Sequence, residues 1–363
     1  MNAGDTSPKS PTSTILEILH HLSMGDDLTS QQQKQLEADI LRDDARARAF
    51  DITQHNVEHE VEQRSRLAQP VCDLLRQDLP DFKQDSTFLE TLWHLWLPLA
   101  IRLADRQQQL DRPFIQGVLG GQGTGKTTLG DILERILRLL GKSCVSISLD
   151  DLYKTYADRQ QLRERDPRLI WRGPPGTHDV ELGIETLERL RDRSTSIEIP
   201  HFDKSLHDGA GDRTLPLQHQ GADMVWFEGW FVGVHPLPIS KFSKYTPPLV
   251  SEADREFALE CNARLYDYIP LWQRLDSLIV LKPLSYEFSL QWRQEAEHKR
   301  ISQGKAGMSD AEILEFVQYF WRSLPPDLFM TPLTQSSKVW NLAIDLVVAI
   351  DAHHLPCAIY RPD

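Results

Sequence analysis

Residues 114–140 constrain the fold more than any other part of the chain. They begin with an apolar run of strand length, Phe-Ile-Gln-Gly-Val-Leu, which leads into a glycine-rich turn at residues 120–128. The residues after the turn carry apolar side chains at helical spacing. These side chains belong to Leu129, Ile132, Leu133, Ile136, Leu137 and Leu140. The segment therefore predicts a strand, a tight turn and an amphipathic helix in immediate succession.

The turn fits the pattern G-x-x-x-x-G-K-[ST] at every fixed position, from Gly120 to Thr127. Glycines let backbone N–H groups approach phosphate oxygens closely, and the start of the following helix adds unpaired donors. Lys126 would reach the β- and γ-phosphates, and the Thr127 hydroxyl would ligate Mg²⁺. The motif and its context together predict a nucleotide-binding P-loop rather than an ordinary glycine turn. The predicted nucleotide-binding residues are Gly121, Gln122, Gly123, Thr124, Gly125, Lys126, Thr127 and Thr128.

Length and charge limit the classes of protein to which the chain can belong. A chain of 363 residues can form one large domain or two ordinary ones with a substantial core. The net charge of -13 argues against general nucleic-acid binding, because neutralising phosphates needs clustered lysine and arginine. The apolar stretches are too short to span a bilayer. We therefore expect neither a nucleic-acid nor a membrane partner, and nothing in the sequence indicates the oligomeric state.

Cysteine usage and the first residues bear on the cellular compartment. The cysteines Cys72, Cys144, Cys261 and Cys357 are far apart in sequence, and no pair has metal-ligand spacing. This is typical of a reducing cytosol rather than of a disulfide scaffold. The first residues lack the basic and apolar segments of a secretory signal, and no transit peptide is evident. We therefore expect a cytoplasmic protein.

Residues 1–88 are predicted to form a helical N-terminal extension. Residues 14–71 carry apolar side chains at helical spacing, and Pro70 and Pro80 are expected to break the pattern. His55 and His59 lie four residues apart, but no third ligand is evident, so an exposed helix is favoured over a metal site. Residues 89–106 predict one more apolar helix, which begins a P-loop domain over residues 89–363.

Apolar runs after the P-loop predict a central sheet. Strands are expected at residues 143–149, 197–200, 224–227, 277–281 and 346–350, the last of them ending the series. Strands that alternate with helices are typical of an α/β, three-layer P-loop NTPase fold with a mostly parallel central sheet. Ligands of such sheets bind at the carboxyl ends of the strands. Lys126, Asp150 and Glu228 each follow a strand, so they should meet in one crevice.

Two strand ends carry the acids that phosphoryl transfer requires. One carboxylate must take the proton of the acceptor hydroxyl, and another must lie near Mg²⁺ or its waters. Asp150 and Asp151 end one predicted strand, and Glu228 ends another. Since strand side chains alternate between faces, one of the two aspartates can point into the crevice. Asp150 is favoured for this position, while Asp151 is more typical of a capping residue and Glu228 could also be a solvated strand-end acid.

Two long loops and one charged segment are further candidates for functional roles. Residues 172–179 and 201–213 are rich in glycine and carry mixed charge, which suits either an acceptor site or a solvated connection. Residues 292–305 carry alternating charges that suit either a solvated helix face or a lid that closes over phosphates. We place that lid near residues 286–310.

Several short stretches resemble one family when they are taken in order. They are residues 122–128, 148–153, 172–173 with 178–179, 202–205, 211–213, 227–230, 291–293 with 296–297, and 304–305 with 307–310. They resemble the plant and cyanobacterial type of D-glycerate 3-kinase, in the P-loop group that includes uridine kinase, phosphoribulokinase and bacterial pantothenate kinase. The match runs from about residue 89 to the C-terminus. Leu152 departs from the family, which usually has Phe at this position.

The resemblance implies that the γ-phosphoryl group of ATP, with Mg²⁺, is transferred to the C3 hydroxyl of D-glycerate, giving 3-phospho-D-glycerate and ADP. In photosynthetic cells this step returns photorespiratory carbon to the reduction cycle. By position in the group, Asp150 looks like the general base and Glu228 like the acid near Mg²⁺. Lys126 would act on the phosphates, while Arg293 and Arg300 look like lid residues that act in catalysis and in nucleotide binding.

The same resemblance requires a cation for the glycerate carboxylate. Lys204 is the first choice, and Arg213, Arg172 and His178 are further candidates. Asp179, next to His178, falls in the same predicted acceptor site. The small-molecule partners expected from the resemblance are D-glycerate and ATP.

Other functions stay open at the level of sequence. Another kinase of the group, with a nucleoside or sugar-phosphate acceptor, would keep the core and change the loops at residues 172–179 and 201–213. An ATP-dependent or GTPase-like regulatory switch is a second alternative, although the guanine-reading Asn-Lys-x-Asp is absent from the sequence. The N-terminal helices could also form a partner-binding module.

Overall fold

The computed structural model describes residues 11–79, 85–192, 196–243, 247–304 and 307–363. Pro80 and Lys305 lie outside the described residues. The chain divides into two compact units, one with the residues up to Arg106 and Asp131–Lys142, the other with Gln107–Gly130 and Ser143–Asp363. The domain boundary predicted after residue 88 stays a prediction.

The first unit is helical. Its helices are α1 (Pro11–Ser23), α2 (Ser30–Arg42), α3 (Asp44–Ala49), α4 (Val57–Asp78), α5 (Ser86–Thr91), a π-helical turn (Leu92–Trp96) and α6 (Leu97–Gln108), the last of which extends into the second unit. The helix predicted at residues 89–106 is confirmed, and it starts three residues earlier than expected, at Ser86.

Pro70 lies inside α4, so the predicted break at this residue is wrong. A proline in a helix interior removes one backbone hydrogen bond and crowds the preceding turn. The helix continues because its inner face is buried on both sides of Pro70, at Ala68 before it and at Val71 and Leu75 after it. Burial of these apolar side chains outweighs the local cost of the proline.

The second unit is built on β-strands, seven of which form one central sheet. The described strands are β1 (Phe114–Gly120), β2 (Cys144–Ser148), β3 (Ile197–Ile199), β4 (Phe202–Asp203), β5 (Asp212–Arg213), β6 (Leu217–His219), β7 (Met224–Gly229), β8 (Ser277–Pro283), β9 (Lys338–Val339), β10 (Leu342–Ile350) and β11 (Pro356–Tyr360). The central sheet has the order β11-β10-β8-β1-β7-β2, with β9 paired to β10, while β3 pairs with β6 and β4 with β5 in separate ribbons. Neighbouring strands from β10 to β2 are parallel, and β9 and β11 are antiparallel to β10.

Helices connect these strands. They are α7 (Lys126–Leu139), α8 (Tyr156–Arg165), α9 (Val180–Leu190), α10 (Glu252–Arg264), α11 (Ile269–Trp272), α12 (Phe288–Ser302), α13 (Asp310–Ser323) and α14 (Pro326–Gln335). Short 3₁₀ turns lie at Leu149–Leu152, His207–Gly209, Ile239–Phe242 and Leu265–Tyr268.

The architecture is the predicted three-layer α/β P-loop fold with a mostly parallel central sheet and an N-terminal helical extension. Among the described helices, none combines the length and the hydropathy that a membrane-spanning helix needs.

The structure corrects three of the strand predictions. The second strand ends at Ser148, because the next residues fold into a capped 3₁₀ turn. The strand at residues 197–200 is short and pairs with β6 in a separate antiparallel ribbon. The strand at residues 346–350 is not the last, since β11 follows it as an antiparallel edge strand with two exposed residues among its five. Half-exposed edge strands lack the continuous apolar run that identifies a buried parallel strand.

Candidate active site

The loop between β1 and α7 has the geometry of a phosphate-binding turn. Gly123 and Gly125 have φ values of 79° and 80°, a region in which glycine carries no steric penalty. The backbone N–H of Leu129 donates to the Gly125 carbonyl at 2.8 Å, so α7 is formed immediately after the turn. The Thr124 hydroxyl donates to the Gly121 carbonyl at 2.9 Å and fixes the other side of the loop.

Sheet register brings the acids to this loop. Strand β7 lies between β1 and β2, and Glu228 of β7 pairs with Val118 on one side and with Ser148 on the other. The carboxyl ends of the three parallel strands therefore lie at one edge of the sheet. Lys126 follows β1 there, and Asp150 follows β2. The convergence predicted for Lys126, Asp150 and Glu228 is present in the structure.

Lys126, Thr127 and Glu228 form a tight polar cluster. The Thr127 hydroxyl donates to Glu228 Oε1 at 2.8 Å, and Lys126 Nζ lies 3.9 Å from Glu228 Oε2. Lys126 Nζ also donates to the Gly121 carbonyl at 3.1 Å. Burial lowers the pKa of Lys126, while the nearby carboxylates of Glu228 and Asp150 oppose that shift. The lysine is thus held by negative groups, which a phosphate can replace.

Asp150 carries an ion pair and a hydrogen bond on its two oxygens. Lys204 Nζ lies 2.6 Å from Oδ2, and the Tyr153 hydroxyl donates to Oδ1 at 2.8 Å. Burial alone would raise the pKa of Asp150, but the Lys204 ammonium and the two hydrogen bonds outweigh it and lower the pKa. The carboxylate is therefore ionised at neutral pH and is able to accept a proton.

Asp151 has a different role from its neighbour. Its Oδ2 accepts the backbone N–H of Ser148 at 3.0 Å, and the Ser148 hydroxyl in turn accepts the N–H of Asp150 at 3.2 Å. These contacts form the capping box of the 3₁₀ turn. Burial raises the pKa of Asp151. Asp151 stabilises the turn that orients Asp150.

Two of the candidate cations for the acceptor carboxylate, Arg213 and Arg172, already donate hydrogen bonds to oxygens of the protein. Arg213 donates to the Asp179 carboxylate at 2.7 Å and to the Tyr153 carbonyl at 2.8 Å. Asp179 also caps α9 by accepting the N–H of Leu182 at 3.1 Å. Arg172 donates to the Gly209 carbonyl at 2.7 Å. These contacts join the two loops predicted to form the acceptor site, residues 172–179 and 201–213.

His178 is buried at the centre of the same region. Its Nδ1 lies 2.8 Å from the Tyr268 hydroxyl, and its ring stacks on Tyr153 with the centroids 4.6 Å apart. Burial lowers the pKa of His178 to about 3. The imidazole is therefore neutral at physiological pH and would act on a ligand as a hydrogen-bond donor or acceptor rather than as a cation.

The predicted lid residues lie on α12. Arg293 Nη2 lies 2.7 Å from Oε1 of the buried Glu297, and its guanidinium is over the Phe316 ring. Arg300 is exposed in the last turn of the helix. Closure of this segment over a nucleotide stays a prediction.

The sequence did not reveal which side chains contact the P-loop and the Asp150 carboxylate. His354 Nδ1 lies 2.9 Å from the Gly123 carbonyl, and its ring stacks on Trp292 with centroids 4.5 Å apart. The two residues come from distant parts of the sequence, so no local pattern links them to the loop. Tyr153 could have been found, because a residue three positions after Asp150 lies on the same side of a helical turn.

No family model matches the chain. Over 258 residues the chain is 33% identical to the Schizosaccharomyces pombe protein named Uncharacterized kinase mug58, a match that covers 69% of this chain and 92% of that protein. Over 248 residues it is 32% identical to the Arabidopsis thaliana protein named D-glycerate 3-kinase, chloroplastic, covering 64% of this chain and 52%, about half, of the plant protein.

A solved structure of D-glycerate 3-kinase from Cryptococcus neoformans superposes with a TM-score of 0.64 at 28% identity. The superposition covers 72% of this chain and 95% of the fungal one. The chain therefore belongs to the family of P-loop kinases that includes the mug58 kinase and the relatives named D-glycerate 3-kinase, and it is an ATP-dependent phosphotransferase.

Proposed function

We propose that this kinase transfers the γ-phosphoryl group of ATP to the C3 hydroxyl of D-glycerate, giving 3-phospho-D-glycerate and ADP. Relatives named D-glycerate 3-kinase support this acceptor. The observation that carries the proposal is the 2.6 Å contact between Lys204 Nζ and Asp150 Oδ2. A cation that can bind a carboxylate and a base that can take a hydroxyl proton are adjacent, which suits a small hydroxy acid.

Asp150 is the proposed general base. As the C3 oxygen forms its bond to the γ-phosphorus, the bond from that phosphorus to the β–γ bridging oxygen breaks and ADP leaves with its electrons. The proton of the C3 hydroxyl passes to Asp150, whose lowered pKa keeps it ionised beforehand. Lys126 stabilises the negative charge on the transferring phosphoryl group.

Thr127 and Glu228 fit a magnesium ion. Their oxygens are adjacent, since the Thr127 hydroxyl donates to Glu228 Oε1 at 2.8 Å. Hydroxyl and carboxylate oxygens are the ligands that Mg²⁺ prefers, and the ion keeps several waters in nucleotide sites. Thr127 would ligate the ion and Glu228 would hold it or its waters. When bound, Mg²⁺ neutralises charge on the β- and γ-phosphates.

Lys204 is the proposed partner of the glycerate carboxylate. Its side chain is 58% exposed, so the ammonium can reach a ligand, unlike the guanidinium of Arg213, which is bound to Asp179 and to a backbone carbonyl. A charge-assisted contact of this kind contributes about 1.5–3 kcal/mol. Binding of glycerate would exchange one carboxylate partner of Lys204 for another.

The acceptor is tested by the release of ADP from Mg-ATP with D-glycerate, uridine and ribulose 5-phosphate as alternatives. We expect turnover with D-glycerate and 3-phosphoglycerate as the product in phosphorus NMR. A 2-phosphoglycerate product would reject the regiochemistry. Good turnover of uridine or ribulose 5-phosphate without turnover of D-glycerate would reject the acceptor and leave only the kinase assignment.

The carboxylate contact is tested by Lys204→Ala. We expect KM for D-glycerate to rise about 10-fold or more, with KM for ATP changed less than about 2-fold, because the lysine is proposed to bind the acceptor and not the nucleotide. Lys241→Ala is the matched control, since Lys241 is an exposed lysine on the turn Ile239–Phe242. Equal increases in the two KM values would contradict the assignment.

A further inference from the structure

His178 carries a polar atom that has no partner in the described protein. The residue is 2% exposed, and its Nε2 is buried with no hydrogen-bond partner among the described residues. Buried polar groups are almost always paired, and an unpaired one is costly unless a ligand or water supplies the partner. Nε2 of His178 is therefore a polar atom whose partner must be a ligand or a water molecule.

The tautomer of His178 follows from its contact with Tyr268. The Tyr268 hydroxyl accepts the backbone N–H of Gly176 at 2.8 Å, and it lies 2.8 Å from His178 Nδ1. The phenol is fully buried, and burial raises its pKa, so it keeps its proton. With its oxygen already accepting from Gly176, the hydroxyl donates its proton towards Nδ1. The hydrogen of the neutral imidazole is then on Nε2.

The His178 ring lies against the tyrosine that contacts the proposed base. The His178 ring stacks on Tyr153 at 4.6 Å, and the Tyr153 hydroxyl donates to Asp150 at 2.8 Å. Tyr153 therefore contacts both side chains, His178 through its ring and Asp150 through its hydroxyl. Since Nδ1 faces Tyr268, Nε2 lies on the far side of the ring from that contact. The site thus has a base, a cation and a fixed neutral donor on three different elements.

We propose that His178 Nε2–H donates a hydrogen bond to the C2 hydroxyl oxygen of the acceptor and so selects the D configuration at C2. This inference rests on the proposed function. C2 is bonded to both C3 and the carboxyl carbon. With the C3 hydroxyl at Asp150 and the carboxylate at Lys204, two positions remain on C2, and the D and L enantiomers place the C2 hydroxyl in opposite ones. A third fixed contact is the minimum that distinguishes two enantiomers, and L-glycerate would direct its C2 hydroxyl away from Nε2.

The test compares three acceptors: D-glycerate, L-glycerate and 3-hydroxypropionate, which lacks the C2 hydroxyl. His178→Asn keeps a polar atom near the position of Nδ1 and removes the Nε2 donor. We expect its kcat/KM for D-glycerate to fall about 10- to 100-fold, while that for 3-hydroxypropionate changes less than about 2-fold. The D-to-L preference should fall by the same factor as the activity on D-glycerate. Because each ratio comes from one preparation, a partly misfolded sample does not change it.

His178→Gln provides the matched variant, because its longer side chain brings an amide N–H near the position of Nε2. It should recover part of the preference for D-glycerate over 3-hydroxypropionate.

Tyr268→Phe should lower the preference for D-glycerate over 3-hydroxypropionate, since Nδ1 can then take the hydrogen, and it should leave KM for ATP unchanged. In the wild-type protein, nitrogen NMR of the ring should report hydrogen on Nε2 alone from pH 5 to 8.

The outcomes separate this inference from the proposed function. If the wild-type protein does not phosphorylate D-glycerate, the proposed function fails and the inference fails with it. If D-glycerate is phosphorylated but His178→Asn loses equal activity on D-glycerate and 3-hydroxypropionate, His178 has only a structural role and the inference alone is overturned. Hydrogen on Nδ1, or a charged ring near neutral pH, would also overturn it.

Discussion

A carboxylate clamp at Asp166 supports the segment that leads to the proposed acceptor site. Asp166 Oδ1 accepts from Arg168 Nε at 2.7 Å, and Oδ2 accepts from Arg264 Nη2 of α10 at 2.6 Å. The Arg264 side chain also packs against Gly176 at the other end of the segment. Residues 166–176 are therefore fixed to α10 at both ends, just before His178.

The contribution of the clamp to stability can be worked out from the pKa. Burial would raise the pKa of Asp166, but hydrogen bonds from Arg168 and Arg264 outweigh it and lower the pKa from 3.8 to about 2. At 1.36 kcal/mol for each pH unit, this corresponds to at most roughly 2.5 kcal/mol. The Arg168 side chain is 43% exposed, so solvent screening reduces the expected value to about 1–2 kcal/mol.

Asp166→Asn should therefore lower the free energy of unfolding by about 1–2 kcal/mol at pH 7. The folded-state pKa is depressed, so the stabilisation is fully present above the unfolded-state pKa and is lost as pH falls through the folded-state value. The difference in the free energy of unfolding between variant and wild type should shrink below pH 3.8 and vanish near pH 2.

Urea denaturation at pH 7, 5, 4 and 3 measures this dependence. Asp267→Asn is the control, because Asp267 is an exposed aspartate close to Arg264 in sequence. A loss of stability that is the same at pH 7 and pH 3 would show that the effect is steric and not electrostatic. A loss below about 0.3 kcal/mol at pH 7 would refute the clamp altogether.

Three further predictions concern the site itself. Lys126→Ala should abolish phosphoryl transfer, and a folded variant with near-normal kcat would contradict the P-loop assignment. Asp150→Asn should bind ATP in calorimetry but lose turnover, whereas Asp151→Asn should mainly lose thermal stability; the reverse result would exchange their roles. Gly123→Ala should weaken ATP binding, because its φ is 79° and an added Cβ would lie 2.7 Å from Trp292, so an unchanged Kd would refute the need for glycine there.

The fold and the centre of the site were predictable because their signals are local. An apolar run, a glycine turn and an amphipathic helix identify the P-loop within one short segment, and the structure confirms all three parts. Parallel strands then bring their carboxyl ends together by topology alone. That rule is why Asp150 and Glu228 could be assigned to the crevice of Lys126 without any knowledge of distances.

The remaining features depend on contacts between residues that are distant in sequence. Arg213 pairs with Asp179, and His178 contacts Tyr268. Neither contact is visible in the spacing of residues. Pro70 shows the same limit, because burial along α4 overrides its local effect. The lid role of α12, the cytoplasmic location and the domain boundary stay predictions.

The charges of the site indicate why a kinase of this kind would transfer the phosphoryl group to its acceptor rather than to water. Both lysines already have carboxylate partners: Lys126 lies 3.9 Å from Glu228, and Lys204 lies 2.6 Å from Asp150. While Lys204 is paired with Asp150, its ammonium keeps the pKa of that carboxylate low and the proposed base weak. In the proposed reaction, an acceptor carboxylate draws Lys204 away, and Asp150 becomes more basic at the moment a hydroxyl is in position. Water has no carboxylate that could replace Asp150 as the partner of Lys204. When water is at the site, Asp150 therefore keeps its low pKa and is a weak base.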